Sequence, residues 1–265
     1  MLSIQHYYDE NVEREWERLG ARHRTEFAVT LRALQAFLPP APANLIDIGG
    51  GPGRYALELA GLGYAVSLVD LSPGNLLFAQ QKERESDVPL QTVRQANALD
   101  LSMFADESFD GALLMGPLYH LLEESQRLQA LREARRVLKP GGVLAAAFIS
   151  RFAALRDSAQ GYPEWLIDYP ERVEQLISRG INLDGWGFTE AYFAHPDEII
   201  PLCQAAGFET LKRMGCEGVV SGHEKKINQL NAADFEKWAA LNYAVSQDPA
   251  AIGASDHILY IGRKQ

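Results

Sequence analysis

The sequence predicts an α/β fold built on a doubly wound sheet of about seven strands. Short apolar runs alternate along the chain with segments whose apolar residues recur at helical spacing. A glycine-rich turn follows the first run, and the second run ends beside an acidic residue. Strands that alternate with helices form a parallel sheet with right-handed crossovers, and this pattern is the basis of the prediction.

Each element is predicted either from a short apolar run or from apolar residues at helical spacing. The apolar runs predict strands at residues 45–48, 64–69, 90–95, 110–115, 143–149, 208–216 and 258–263. Helical spacing predicts helices at residues 9–38 with a break near Gly20, and at 54–61, 73–84, 123–137, 196–206 and 233–245. The chain therefore divides into an N-terminal helical cap (1–43), a core (44–150), an aromatic-rich insertion (151–195) expected to form a lid, and the remainder of the core (196–265) with a helical insertion at 217–254.

Composition narrows the class of protein. The 265 residues carry 35 acidic and 25 basic side chains, and a net charge of −10 disfavours a nucleic-acid partner. The two cysteines, Cys203 and Cys216, have no CxxC spacing, so we expect no metal site. No run of 18 apolar residues and no apolar leader occur, so we expect no membrane span and a cytoplasmic location. A monomer or a homodimer is compatible with this sequence.

The glycine-rich turn contains Gly49, Gly51 and Gly53, between the first strand and the next helix. Without side chains, such a turn lets a ligand approach the backbone N–H groups. Dinucleotide cofactors use a G-x-G-x-x-G/A turn at the same place. A register that starts at Gly51 puts Ala56 in the third position, so dinucleotide binding remains open at this step.

Two carboxylates flank this turn. Asp47 stands two residues before the first glycine, where it would repel a pyrophosphate and suit the ammonium group of an amino acid, directly or through water. The alternative interpretation of Asp47 is a solvated residue at the end of a strand. Asp70 ends the second strand, and a carboxylate there can accept hydrogen bonds from both ribose hydroxyls, in either cofactor class.

Several further motifs occur in order with these: Val69-Asp70, Gln95-Ala-Asn-Ala98, Ser108-Phe-Asp110 and Leu138-Lys-Pro-Gly-Gly142. Together with residues 47–53 they resemble the motifs of the class I S-adenosylmethionine-dependent methyltransferases over about residues 44–150. Residues 116–121 and 7–10 resemble small bacterial members near the ubiquinone/menaquinone methyltransferase group. The resemblance implies a Rossmann-like, mostly parallel sheet with an antiparallel last strand, and S-adenosylmethionine as the cofactor.

The resemblance also implies roles for individual residues. Asp47, Gly49, Gly51 and Gly53 match the methionine-binding loop, and Asp70 matches the ribose ligand. The adenine would lie against Leu71, with Asn97 and Ala98 at its edge. Asn97 departs from the family, in which Asp is frequent, but its amide oxygen can still accept a hydrogen bond. Met115 and Gly116 match the segment beside the sulfonium.

Fewer residues of the sequence indicate how the methyl acceptor is bound. His120 is the best candidate for a base or a substrate ligand, with Tyr119 as its neighbour, and a packed structural histidine is the alternative. Tyr8 is a candidate cofactor contact from the cap, which we expect to close one side of the cleft. The aromatic residues of 151–195 are expected to roof a pocket for a small-molecule acceptor, or else to form the core of the lid. A nicotinamide-dependent oxidoreductase and a non-catalytic S-adenosylmethionine-binding module remain alternative functions.

Overall fold

The computed structural model describes residues 2–183 and 189–265. Its strands are β1 (Asn44–Ile48), β2 (Ala65–Asp70), β3 (Thr92–Gln95), β4 (Phe109–Leu114), β5 (Leu138–Ile149), β6 (Ile181–Asn182), β7 (Ala191–Tyr192), β8 (Phe208–Gly215) and β9 (His257–Lys264).

Seven of these strands form the main sheet, in the order β3-β2-β1-β4-β5-β9-β8. The pairs between β3 and β5 along this order are parallel, whereas β9 runs antiparallel to both β5 and β8. The predicted sheet of about seven strands with an antiparallel last strand is therefore confirmed. The short hairpin of β6 and β7 was not predicted, because two residues per strand leave no periodicity to read.

The helices are α1 (Leu2–Glu10), α2 (Val12–Glu17), α3 (Arg24–Phe37), α4 (Arg54–Gly61), α5 (Pro73–Ser86), α6 (Glu124–Val137), α7 (Ala153–Gly161), α8 (Trp165–Asp168), α9 (Pro170–Arg179), α10 (Pro196–Ala205), α11 (Glu224–Ile227), α12 (Ala232–Val245) and α13 (Pro249–Ala254). Short 3-10 turns occur at Pro117–His120 and Gly218–Val220. In the described part of the chain every helix is too short or too polar to cross a bilayer.

The helix predicted at residues 9–38, with a break near Gly20, is wrong in its bounds. Helical structure begins at Leu2, breaks at Asn11, and passes through a π-helical turn at Arg18–Arg22 before α3. His23 leaves the helical region, with φ −115° and ψ 46°. A side chain at Gly20 would lie 3.3 Å from the Arg54 guanidinium, so the predicted break near this glycine coincides with a close approach of the cap to the core.

Side chains on the two faces of the sheet enter separate apolar layers. Ile46 and Ile48 of β1 pack in the layer that also contains residues of α6 and α10, whereas Leu45 packs with residues of α3 and α4. This alternation is the ordinary period of two along a strand. Asp47 shares the face of Leu45, so the sheet directs its carboxylate into the core rather than along the strand axis.

The strand order alone predicts where a ligand cleft should lie. The β1 strand lies between β2 and β4, so the chain winds away from it in both directions. Ligands in doubly wound sheets bind at the carboxyl ends of the strands at such a switch point. The loops that follow β1 and β4 therefore border the expected site.

The aromatic-rich insertion has a small core of its own. Trp165, Val173, Leu176 and Phe193 are buried together there. Of the aromatic residues noted in the sequence, Trp186 and Phe188 lie outside the described residues. The interpretation in which these aromatics build the lid therefore accounts for Trp165 and Phe193.

Candidate active site

A cleft with about 1110 Å³ of empty space, including its open mouth, lies at the carboxyl ends of the central strands. Eleven of the thirteen predicted site residues line it. They are Tyr8, Gly49, Gly51, Asp70, Leu71, Asn97, Ala98, Met115, Gly116, Tyr119 and His120. Of the other two, Asp47 lies beneath the glycine loop and Gly53 is the N-cap of α4.

The glycine loop needs its glycines for two different reasons. Gly49, Gly51 and Gly53 have φ values of 67°, 58° and 83°, in the left-handed region that other residues rarely adopt. A Cβ at Gly49 would also come within 2.7 Å of the Pro117 ring, whereas one at Gly51 would have only the Asn75 amide within 4 Å, at 3.8 Å. Gly49 thus allows close packing, and Gly51 leaves the backbone open to the cleft.

Asp47 is fully buried under this loop. Neither carboxylate oxygen makes a hydrogen bond that meets ordinary distance and angle criteria among the described residues. Burial, and secondly the Asp70 carboxylate, raise the pKa of Asp47 to about 7, against a smaller opposite effect of the Ala56 backbone N–H. A buried carboxylate without a partner is costly, so its presence requires a reason.

Asp70 is tied to the loop by short hydrogen bonds. Its carboxylate accepts them from the backbone N–H of Gly51 (2.8 Å), the backbone N–H of Ser72 (2.9 Å) and the Asn75 side-chain amide (3.2 Å). A carboxylate can accept about four hydrogen bonds, so capacity remains on the side of the cleft. Burial is the largest influence on its pKa, which is raised.

The far wall of the cleft follows β3. Asn97 Oδ1 accepts a hydrogen bond from the Leu99 backbone N–H at 3.0 Å, so its amide oxygen is already engaged in a turn. On the opposite side, Gly116 lies so close to Gly49 that a Cβ would be 2.7 Å from the Gly49 carbonyl oxygen. The ends of β1 and β4 therefore meet at the floor of the cleft with only backbone between them.

The cap and the core meet at His120. The Tyr8 hydroxyl and His120 Nε2 are hydrogen bonded at 2.6 Å, and His120 Nδ1 lies 3.1 Å from the Thr189 hydroxyl. The Tyr119 ring packs edge-on against the imidazole, with ring centroids 4.6 Å apart. Burial lowers the pKa of His120 to about 4, so the imidazole is neutral at neutral pH.

Residues of the cap that the sequence analysis did not single out also line the cleft, including Ile4, Glu15, Arg18 and Leu19. Arg18 Nη1 donates to Glu26 Oε2 at 2.7 Å, and its Nε lies 3.5 Å from Glu15. Burial lowers the pKa of Arg18, but neighbouring acidic groups, led by Glu26, raise it to a greater extent. A permanent cation is thus held at the rim of the cleft by the π-helical turn.

The predicted roof over the cleft is not found among the described residues. None of the described residues from 151 to 195 belongs to the cleft lining, and the insertion reaches the site through the contact of Thr189 with His120. The apolar side chains of the insertion pack on each other instead, which leaves few to face the cleft. Residues of the cap from 4 to 19 line one side of the cleft, and closure by the cap stays a prediction.

Comparisons with known proteins agree with this geometry. The methyltransferase-domain family matches residues 46–146. A ubiquinone biosynthesis O-methyltransferase of Cereibacter sphaeroides is 30% identical over 184 residues, which is 69% of this chain and 67% of the relative. A ubiquinone/menaquinone biosynthesis C-methyltransferase of Nitrobacter hamburgensis is 31% identical over 123 residues, 45% of this chain and 47% of the relative.

A solved structure from Thermotoga maritima, described as an S-adenosylmethionine-dependent methyltransferase and possible histamine N-methyltransferase, has a TM-score of 0.61 at 21% identity. The alignment covers 98% of this chain and 99% of that one. At this identity the likeness establishes the shared fold. These findings do not favour a nicotinamide-dependent oxidoreductase or a non-catalytic binding module. The chain belongs to the class I methyltransferases that use S-adenosylmethionine.

Proposed function

We propose that the cleft holds S-adenosylmethionine along the glycine loop and that the methyl acceptor is a small molecule bound between the cap and His120. The observation that carries the proposal is the convergence of eleven predicted residues on one cleft at the switch point of the sheet. The net charge of −10 favours a small acceptor over a nucleic acid.

The residues present fit the cofactor. The open backbone at Gly51 leaves room for the methionine part beside the loop, while the Gly51 N–H itself donates to Asp70. Beneath the loop, the buried Asp47 carboxylate makes no hydrogen bond of ordinary geometry among the described residues, and its recorded backbone neighbour is the Ala56 N–H. We propose that Asp47 acts on the cofactor ammonium group from behind the loop, through a water molecule or a small shift of the backbone. Because Asp47 is buried, a direct contact would require that shift.

We assign Arg18 to the carboxylate of the methionine part of the cofactor. Its guanidinium lines the same cleft and is held in place by Glu26 and Glu15. Arginine binds carboxylates through paired N–H groups. Glu26 already accepts from Nη1 at 2.7 Å and from Nη2 at 3.5 Å, so the cofactor carboxylate would use the N–H groups of Arg18 that Glu26 leaves. Among the described residues that line the cleft, the other permanent cation is Arg54 of α4, whose guanidinium stacks on Trp16.

The nucleoside part is assigned to the opposite end of the cleft. We assign the ribose to Asp70, which keeps acceptor capacity, and the adenine to the space between Leu71 and residues 96–98. Asn97 would meet the adenine edge with its amide group while its oxygen still holds the Leu99 N–H. Met115 and Gly116 would lie beside the sulfonium.

When it is bound, the cofactor supplies a methyl group on a sulfonium, which an acceptor atom takes by in-line displacement. The protein must then orient the acceptor and exclude water. Ile4, Tyr8, Tyr119 and Leu121 give this end of the cleft apolar and aromatic walls, which suit a flat or apolar acceptor.

His120 is suited to hold the acceptor rather than to act as a strong base. A general base works best with a pKa near the working pH, and burial lowers the pKa of His120 to about 4. The neutral imidazole is also occupied by Tyr8 and Thr189. We propose that the acceptor replaces the Tyr8 hydroxyl at Nε2, or binds to that hydroxyl while His120 orients it.

The test is methyl transfer from S-adenosylmethionine to a panel of phenols, amines and activated carbon acids. The release of S-adenosylhomocysteine measures the transfer. We expect turnover with at least one acceptor class. Tyr8→Phe and His120→Gln should each raise KM for that acceptor, whereas Tyr162→Phe in the exposed part of the insertion should change nothing. Full activity of both His120→Gln and Tyr8→Phe would assign these residues a structural role.

A further inference from the structure

A second cluster of chemically active side chains lies outside the cleft. His23, Glu26, Glu217 and His257 each offer one ligand atom, and these atoms all lie within 4.8 Å of one another. His23 and Glu26 stand at the start of α3, Glu217 follows β8, and His257 begins β9. The fold therefore brings four residues together from three distant parts of the chain.

The separations within the cluster approach those of a coordination shell. His257 Nδ1 lies 2.5 Å from Glu217 Oε1 and 3.5 Å from Glu26 Oε2, and His23 Nδ1 lies 4.0 Å from the same Glu26 oxygen. A tetrahedral zinc ion with bonds of about 2.0–2.2 Å separates its ligand atoms by about 3.3–3.6 Å. Movements of about an ångström would bring these atoms to such spacings.

The cluster is buried and its polar groups are incompletely satisfied. The Glu217 side chain is 0% exposed, those of Glu26 and His257 are 7% and 13% exposed, and His23 lies at the rim with 32%. His23 Nδ1 is nevertheless shielded from solvent, and it lies 3.5 Å from Glu224 Oε2 without making a hydrogen bond of ordinary geometry. Glu224 Oε1 beside it also makes no such hydrogen bond. The contacts of this nitrogen with Glu224 and Glu26 are longer than an ordinary hydrogen bond, so a closer ligand would satisfy it better.

The ligands are also held in place from behind. Glu217 Oε2 accepts hydrogen bonds from the backbone N–H groups of Asp256 (3.1 Å) and His257 (2.8 Å), which leaves Oε1 directed at the His257 ring. Arg18 donates to Glu26 Oε2 itself, so this oxygen would be shared between the guanidinium and the ligand. Outer contacts that fix the orientation of a ligand are typical of metal sites.

We propose that His23, Glu26, Glu217 and His257 form a binding site for a divalent first-row transition metal, with zinc as the best match to two imidazoles and two carboxylates. This ligand set suits zinc because imidazole and carboxylate both bind it and tetrahedral coordination needs only four donors. The spacing of the two cysteines had predicted no metal site, and none of the four proposed ligands is a cysteine.

The competing occupant is a proton. Burial lowers the pKa of His257, but Glu26 and Glu217 raise it to about 9, so a charged imidazole can also balance these carboxylates. A cluster that binds a metal ion and a cluster that is balanced by a proton on His257 should give different results in a metal titration. A metal ion at this place would also fix Glu26, and through it Arg18 at the rim of the cleft.

The test is a titration of the full-length, tag-free chain with Co²⁺ after treatment with a chelator, followed by visible absorption. We expect one equivalent to bind with the intense d–d bands of a four-coordinate site and without thiolate charge-transfer absorption, and Zn²⁺ to displace it. Glu217→Gln and His257→Asn should each weaken binding by more than about 100-fold, since even outer contacts contribute 10- to 100-fold.

The exposed His6–Glu10 pair provides the matched control, because it repeats the same residue types at 3.2 Å on the surface. His6→Asn and Glu10→Gln should bind Co²⁺ like the wild type. If the buried variants fail to fold, His23→Asn at the rim tests the same site. Binding of less than one equivalent by the wild type, or equal binding by the cluster variants and the wild type, would overturn the proposal.

Discussion

Replacement of Asp47 by asparagine should stabilise the protein without cofactor, and increasingly so as the pH rises. Asp47 is fully buried, and burial with the charge of Asp70 raises its pKa to about 7 from an ordinary value of 3.8. Between these two values the folded protein holds a proton that the unfolded chain has released. The free energy of unfolding of the wild type therefore falls as the pH rises through this window, and the loss is complete above pH 7.

The magnitude follows from the same shift. Each pH unit within this window lowers the free energy of unfolding of the wild type by about 1.4 kcal/mol. Between pH 5.5 and pH 8, ionisation of Asp47 alone therefore lowers it by about 2 kcal/mol. Asparagine cannot ionise, and every other titrating group is common to both proteins. The difference between the two free energies of unfolding should thus shift by about 2 kcal/mol in favour of Asp47→Asn over this range.

Urea unfolding at pH 5.5, 6.5, 7.5 and 8 measures this difference directly, and comparison of the two proteins at each pH cancels the shared groups. Asp47→Asn should at the same time weaken the binding of S-adenosylmethionine, because the charge proposed to face its ammonium group is lost. A difference in stability that stays constant within about 0.5 kcal/mol across the series would refute the assigned cause of the pKa shift.

The remaining predictions concern the loop, the cap and the imidazole. Gly49→Ala should lower the free energy of unfolding by about 2–4 kcal/mol in urea, because a left-handed φ and the Pro117 ring both oppose a side chain; a loss below about 1 kcal/mol would contradict the packing argument. Arg18→Gln should weaken S-adenosylmethionine binding by about 10- to 100-fold in calorimetry, since a charged hydrogen bond contributes about 1.5–3 kcal/mol, and unchanged affinity would remove Arg18 from the proposed site. Tyr8→Phe should destabilise the protein by about 1–3 kcal/mol in thermal or urea unfolding, because it leaves His120 Nε2 buried without this partner, and a neutral effect would show that water replaces the hydroxyl. The ratio of kcat between wild type and His120→Gln should stay constant from pH 6 to pH 8, since the pKa of His120 is about 4, and an inflection in that ratio near pH 7 would instead identify a base in the working range.

Features that lie close together in the sequence could be predicted from it. Asp47, the glycines and Asp70 lie within 24 residues, and a strand, a turn and a helix fix their mutual positions. The doubly wound, mostly parallel sheet followed from the same alternation of elements, whereas its strand order was not predicted. Asp47 shows the limit of this reasoning, because its place on the strand gave its proximity to the loop but not its complete burial.

Contacts between distant segments could not be predicted. Tyr8 and His120 are 112 residues apart, and no periodicity relates them. Arg18 faces the cleft because a π-helical turn rotates the chain there, and a helical pattern read at 3.6 residues per turn conceals it. The His257–Glu217 pair forms only when β8 and β9 align, so neither residue carried a signal on its own.

Calorimetry with S-adenosylhomocysteine tests most directly where the cofactor binds. We expect one site per chain in the wild type, at least about 10-fold weaker binding in Asp70→Asn because a charged acceptor is lost, and no measurable binding of NAD. Asp234→Asn, which alters an exposed carboxylate at the start of α12, should bind like the wild type. Equal affinity of Asp70→Asn and the wild type, or preferential binding of NAD, would contradict the assignment of the glycine-loop cleft to S-adenosylmethionine.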